Sequence, residues 1–195
     1  MNLRLFVALA PPPPVRRKLA AAQDRLRREA GRHAADVRWV DPSNIHLTLQ
    51  FLGAVPEERL AAIRDAVAAV AAASRPLRLE LRGAGGFPSA RRPRVVFTSL
   101  AGDVEALARL VSDLGRQLGQ LGFPPEERPF SPHLTQGRAR DGRGAPGLGG
   151  ALAAAASDEP VPWRAEEVVL FRSHLSPAGA RYEALDRWRL GPAGP

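Results

Sequence analysis

The tripeptide His-Leu-Thr occurs twice, in NIHLTLQFLG (Asn44–Gly53) and in SPHLTQGR (Ser131–Arg138), with its histidines 87 positions apart. In the first copy Ile45, Leu47, Leu49 and Phe51 alternate with His46, Thr48, Gln50 and Leu52. That alternation is the pattern of a strand with one buried face. Side chains two residues apart leave a strand on the same side, about 7 Å from one another. His46 and Thr48 therefore stand together, opposite the core. His133 and Thr135 do the same in the second copy, with Leu134 turned the other way. Of the chain's three threonines, two follow a histidine by two positions, so the copies read as a matched pair serving one site. Any fold for this chain has to bring two distant strands to a common place.

The rest of the chain supplies two comparable halves. Leu3–Leu9 reads as a strand, broken by Pro11–Pro14, and Val15 to Ala30 has a helical period with a basic outer face. Val37–Val40 is a short strand, and DPSN turns into the first motif strand. A helix begins at Pro56 with acidic residues in its first turn. PLRLELRG (Pro76–Gly83) is a strand, GGFPSARRPR a loop and RVVFTSL a strand. A second long helix is capped by Asp103 and ends at Gly122. The Gly-rich segment Ala139–Gly150 reads as a mobile loop. Two long strands, WRAEEVVLFRSHL and GARYEALDRWRL, precede a frayed GPAGP end. Each half owns one motif strand, which predicts a pseudo-twofold pair of α+β lobes facing each other across a cleft, in one bilobal domain over residues 1–195.

Composition narrows the chemistry. The chain has 195 residues, enough to bury a core, and no cysteine, which removes disulfides, thiolate nucleophiles and cysteine-liganded metals. The start has no signal-like apolar run and no stretch approaches a membrane span, so a soluble cytoplasmic protein is expected. The net charge of +8 favours a polyanionic partner, nucleic acid being the commonest. Lys18 is the sole lysine, so the basic residues are almost all arginines, as a GC-rich genome would also produce. A planar guanidinium grips phosphate through two hydrogen bonds.

Two histidines across a cleft can serve as acid and base in one displacement, because their unperturbed pKa lies near neutrality. Thr48 and Thr135 offer hydroxyl donors to an anionic oxygen between them, and Arg138 offers charge to a phosphate. No acidic cluster stands near either motif, which argues against a two-metal carboxylate site. A zinc site from His46, His133 and either His33 or His174 leaves the threonines without a role. A serine triad lacks its Gly-x-Ser-x-Gly turn. GAGG (Gly83–Gly86) lacks the ending of a phosphate loop and reads as a turn. His174 reads as an exposed or packed strand histidine.

The paired His-x-Thr motifs resemble the two-histidine phosphoesterases. RLFVAL, NIHLTLQFLG, GGFPSARRPRVVF, RPFSPHLTQGR and VVLFRSHLSPAGARYEAL, in that order from Arg4 to Leu185, are similar to the RNA 2′,3′-cyclic phosphodiesterases, also described as 2′-5′ RNA ligases. The resemblance implies an α+β fold with a pseudo-twofold, two antiparallel sheets forming a central cleft and helices outside. It implies a monomer that hydrolyses a terminal 2′,3′-cyclic phosphate of RNA, tRNA fragments among the substrates, to a 2′-phosphomonoester. It implies no metal and no cofactor, with His46 as proton donor and His133 as proton acceptor. Thr48 and Thr135 would hold the nonbridging phosphate oxygens, and Arg138 matches a family arginine. Reversible 2′-5′ ligation is implied as well. The sequence departs from the family at Gln136, a position that is usually apolar and whose side chain lies on the core face. Two other readings of the residues are a non-catalytic RNA-end-binding protein and a phosphodiesterase for a small nucleotide-derived cyclic phosphate.

Overall fold

The computed structural model describes residues 2–156, 158–176 and 179–191. Its strands form two antiparallel sheets. The first has the order β3 (Leu47–Pro56), β1 (Asn2–Leu9), β8 (Glu167–Ser176), β9 (Gly179–Arg189). The second has the order β2 (Val37–Trp39), β6 (His133–Ala139), β5 (Val95–Gly102), β4 (Leu77–Phe87), β7 (Val161–Ala165). The helices are α1 (Pro13–Ala30), α2 (Leu60–Ala73), α3 (Val104–Gln120) and the short α4 (Gly149–Ala155).

The halves are not sealed units. β1 and β3 of the first half pair with each other, and β5 and β6 of the second half do likewise. But β4, from the first half, pairs with β5, and β8, from the second, pairs with β1. Each sheet thus takes two strands from the other half, β8 and β9 in the first sheet and β2 and β4 in the second. One apolar cluster follows from the exchange. It joins Leu5, Val7 and Leu9 of β1, Leu47 of β3, Ile63 and Val67 of α2, Leu79 of β4, Leu107 and Leu114 of α3, and Leu134 of β6. Leu134 and Leu47, the middle residues of the two motifs, are both inside it, so the histidines and threonines beside them face away from the core.

Several expectations change. The WRAEEVVLFRSHL segment is two strands, since β7 ends at Ala165 in the second sheet and β8 starts at Glu167 in the first. The GAGG segment continues β4 and is not a turn. A Cβ on Gly83 would meet the Ala155 carbonyl oxygen at 2.3 Å, so glycine there allows the end of α4 to pack on the strand. The Gly-rich segment is not a free loop, because Ala145 and Leu148 are fully buried and α4 follows immediately. The helix expected from Pro56 begins at Leu60 after a 3-10 turn over Glu57–Arg59. Asp103 makes no side-chain cap. Its carboxylate accepts from Arg75 Nη1 at 2.8 Å and from Arg78 N at 2.8 Å, pinning the start of β4 to the start of α3. Of the GPAGP end, residues 192–195 lie outside the described residues.

Candidate active site

The motif strands are bent by the same device at the same place. Along β3, Val7 pairs with Gln50 and Ala8 with Thr48, leaving Leu49 as an extra residue. Along β6, Val96 pairs with Gly137 and Phe97 with Thr135, leaving Gln136 extra. Each extra residue is the fourth of His-x-Thr-x, and each is buried, Leu49 at 5% exposure and Gln136 at 2%. A β-bulge inserts one residue and so resets which side chains share a face. Strict alternation would put Phe51 in the core and Gln50 outside. Instead Phe51 is 50% exposed and its ring lies 5.8 Å from that of Phe6, while Gln50 is buried and donates from Nε2 to the Phe123 carbonyl at 2.9 Å. A second register shift leaves Leu52 extra, and it too turns inward.

The same logic places Arg138. Phe97 pairs with Thr135 and Val95 with Arg138, and residues directly opposite in an antiparallel pair share a face. Arg138 therefore follows Thr135 on the cleft face, as Phe51 follows Thr48. Gln136, the departure from the family pattern, does find partners. Its Nε2 donates to Thr98 Oγ1 at 2.9 Å, and its Oε1 accepts from Gln23 Nε2 at 3.2 Å.

Both histidines are held in one way. His46 lies 2.8 Å through Nδ1 from the Asn44 carbonyl oxygen, and His133 lies 2.7 Å through Nδ1 from the Ser131 carbonyl oxygen. A carbonyl can only accept, so Nδ1 carries the proton and Nε2 of the neutral ring presents its lone pair. Neither Nε2 has a partner among the described residues, and neither do the hydroxyls of Thr48 and Thr135. The Asn44 anchor is itself built. Asp41 accepts from Ser43 N at 2.8 Å and from Ser43 Oγ at 2.6 Å, which lowers its own pKa and closes the turn. Asn44 Nδ2 then donates to the Ala180 carbonyl of β9 at 2.9 Å.

The surroundings differ. His46 stands 4.7 Å from the Phe6 ring and edge-on to Tyr182 at 5.0 Å. Desolvation there lowers its pKa below the ordinary histidine value. The Asn44 hydrogen bond opposes this, and the Arg138 charge adds to it. Arg138, on the second sheet, thus acts on a histidine of the first, and it acts on Tyr182 as well. Burial raises the Tyr182 phenol, with the charges of Arg138 and Arg4 opposing. His133 instead meets Phe87 at 5.1 Å and Phe97 at 5.6 Å, both edge-on. These aromatic neighbours were not identified as site residues from sequence. The signal for Tyr182 was the alternation of GARYEAL.

The structure brings His46, Thr48, His133, Thr135 and Arg138 to the cleft faces of the two sheets. His33 and His174 are elsewhere. His33 Nδ1 is 3.5 Å from Asp36, and His174 Nε2 is 2.7 Å from Glu183 on the other face of β8 from Phe171 and Ser173. Among the described residues no three His, Asp or Glu side chains gather as metal ligands.

The LigT-like phosphoesterase family model matches residues 9–97 and 101–182, with one histidine motif in each matched segment. The chain belongs to this family. It is 34% identical over 190 residues to the RNA 2′,3′-cyclic phosphodiesterase of Methanothermobacter thermautotrophicus, covering 97% of this chain and 100% of that one. It is 34% identical over 198 residues to the Thermus thermophilus protein of the same name, covering 96% and 90%. Among solved structures, TT0787 of Thermus thermophilus superposes with a TM-score of 0.77 at 31% identity, covering 98% of this chain and 100% of that one. Escherichia coli LigT complexed with 3′-AMP gives 0.74 at 27%, covering 97% and 99%. Among the described residues no helix is long and apolar enough to cross a membrane.

Proposed function

We propose that the protein is an RNA 2′,3′-cyclic phosphodiesterase that opens the terminal cyclic phosphate to a 2′-phosphomonoester, acting over residues 1–195 as one bilobal catalytic unit. The observation that carries the reading is the pair of imidazoles, each held through Nδ1 by the carbonyl two residues earlier, each with a threonine next on its face. Water oxygen attacks phosphorus and the bond from phosphorus to the ribose 3′ oxygen breaks. His133 Nε2 takes the proton from water, and His46 Nε2 gives one to the leaving oxygen. Thr48 and Thr135 donate to the nonbridging oxygens, and Arg138 offsets the charge that develops on them.

The assignment of His46 as donor has an electrostatic consequence. Burial and Arg138 favour its neutral form, whereas a donor must be an imidazolium. The bound phosphodiester anion supplies the opposing charge, so His46 takes up its proton as substrate binds. If the 5′-hydroxyl of a second RNA replaces water in the same step, the product is a 2′-5′ phosphodiester. Ligation and hydrolysis then share one geometry. RNA ends left by tRNA cleavage are substrates of this chemical kind, and a monomeric, cytoplasmic enzyme completes the proposal.

The decisive experiment incubates the protein with an oligoribonucleotide ending in 2′,3′-cyclic phosphate, in excess EDTA, and locates the phosphate on the product. A 2′-phosphate formed without added metal is the expected result. A 3′-phosphate, or activity that returns only with zinc or manganese, rejects the proposed step. Tight binding of the RNA end without turnover rejects it in favour of an end-binding protein.

A further inference from the structure

β2 adds one more residue to the cleft. Arg38 of β2 pairs directly with Arg138 of β6, between the pairs Val37–Ala139 and Trp39–Gly137. Val37 is buried, and Ala139 and Trp39 pack against the same apolar cluster behind the sheet, so Arg38 shares the opposite face with Arg138. Both arginines are exposed, and neither has an acidic partner among the described residues. Like charges directly across an antiparallel pair destabilise the sheet. Elsewhere on the chain arginines do find acids, as with Arg64 and Asp186 at 2.8 Å or Arg75 and Asp103 at 2.8 Å. An unrelieved pair beside a phosphate site points to more than one anion.

The spacing defines the second anion. Arg138 lies one side-chain step, about 7 Å, beyond Thr135 on the cleft face, and Arg38 lies one strand further, about 4.8 Å away. The charge on Arg138 reaches His46 and Tyr182, while Arg38 does not figure among the charges that perturb either group. The positive stripe therefore runs from the reacting phosphate outward. Along an RNA end, the next anion is the phosphodiester joining the terminal nucleotide to its 5′ neighbour. We propose that Arg38 binds that linking phosphodiester, which makes an RNA chain, rather than a cyclic mononucleotide, the preferred substrate. This rests on the cyclic phosphodiesterase reading, and it names which of that site's candidate substrates is favoured. A guanidinium fork suits the two free oxygens of such a group, and relief of the Arg38–Arg138 repulsion adds to chain binding.

The test compares wild type, Arg38→Gln and Arg38→Lys on adenosine 2′,3′-cyclic phosphate and on the diadenosine ending in the same group. A third substrate is that dinucleotide with its link replaced by an uncharged methylphosphonate. Arg38→Gln is expected to raise KM for the natural dinucleotide about tenfold, the effect of losing one hydrogen bond to a charged group, with kcat unchanged. KM for the cyclic mononucleotide hardly moves. Arg38→Lys restores part of the loss, and the methylphosphonate substrate with wild type behaves as the natural one does with Arg38→Gln. The slope of log affinity against log salt for the natural dinucleotide falls by about 0.7. An equal KM increase on the mononucleotide, or identical affinity for the charged and uncharged links, overturns the proposal. Equilibrium binding of the two dinucleotides reads the same difference without turnover. A protein that hydrolyses no cyclic phosphate yet prefers the charged link through Arg38 rejects the catalytic reading and keeps this one.

Discussion

His46, just before β3, and Thr48 on it match His133 and Thr135 of β6, and the two strands bulge at the same next residue. They part at the third cleft-facing side chain, where Phe51 stands on one strand and Arg138 on the other. They also differ in shelter. His46 is set among Phe6, Phe171 and Tyr182 at the edge strand of its sheet, whereas β6 lies between β2 and β5 and His133 meets the rings of Phe87 and Phe97. The backbone geometry is duplicated and the environment is not. The burial that surrounds His46 favours its neutral form, so in the proposed step the proton on His46 has to come with the phosphate anion and not from its surroundings.

The strongest attempt to break the symmetry removes one imidazole at a time. His46→Ala and His133→Ala are each expected to lower kcat about 10²–10⁴-fold on a cyclic phosphate end. The double variant should be little worse than either single one, as groups that act as a unit are not additive. If one single variant kept near-wild-type turnover, the two strands would not be partners in one step. The threonines come next. Thr48→Val and Thr135→Val each lose a hydrogen bond to a charged oxygen, and kcat/KM should fall about tenfold to a hundredfold. Similar losses at the two positions support a shared phosphate, and a loss at one alone assigns the phosphate to a single strand.

A smaller effect sharpens the electrostatic difference. Arg138→Gln removes a positive charge that favours neutral His46, so the His46 pKa rises toward its ordinary value. Burial is the larger cause and remains, so the rise is partial. NMR titration of the two histidines in the free protein reads this directly. The sign is fixed: a fall in the His46 pKa, or no change, would place Arg138 away from it. Wild-type stability carries the same sign. The folded state holds its proton on His46 less readily than the unfolded chain does. Stability contributed by neutral His46 is therefore present above pH 6.5 and declines as pH falls from there toward the folded pKa.

Much of this was legible because period-two alternation and His-x-Thr spacing are local. Leu47 and Leu134 went to the core and the histidines to the cleft as alternation requires. The misreadings along β3 share one cause, since a bulge adds a residue without leaving a composition signal. Phe51, Gln50 and Leu52 all exchanged faces for that reason. The exchange of β2 and β4 for β8 and β9 between the halves is a long-range choice that no short window encodes. The break at Glu166 is different, because it leaves a local mark: WRAE alternates, and the paired Glu166 and Glu167 interrupt the alternation where the chain changes sheets. Period two cannot reveal that Arg38 faces Arg138, which depends on the pairing of a three-residue strand.

The finest test of the comparison is the bulge residue itself, leucine on β3 and glutamine on β6. Gln136→Leu makes the two strands alike. It removes the donor to Thr98 Oγ1 and one acceptor of Gln23, but Gln23 Nε2 keeps the Val40 carbonyl at 2.8 Å and the Gln136 carbonyl at 3.0 Å. Only Thr98 is left with an unmet buried hydroxyl, so the loss should be about 1 kcal/mol in urea unfolding at constant slope. Adding Thr98→Val removes the stranded group and should recover most of that, since replacing both partners by apolar groups is nearly neutral. Gln23→Leu should be worse than Gln136→Leu, because it strips the Val40 carbonyl of its buried donor. The bulge backbone is pinned separately by Val40 N, which donates to the Gln136 carbonyl at 2.8 Å. His133, Thr135 and Arg138 therefore keep their places, and kcat/KM should stay close to wild type in Gln136→Leu. A large loss of activity with stability intact would mean that the glutamine network, and not the bulge alone, sets the geometry of the second motif.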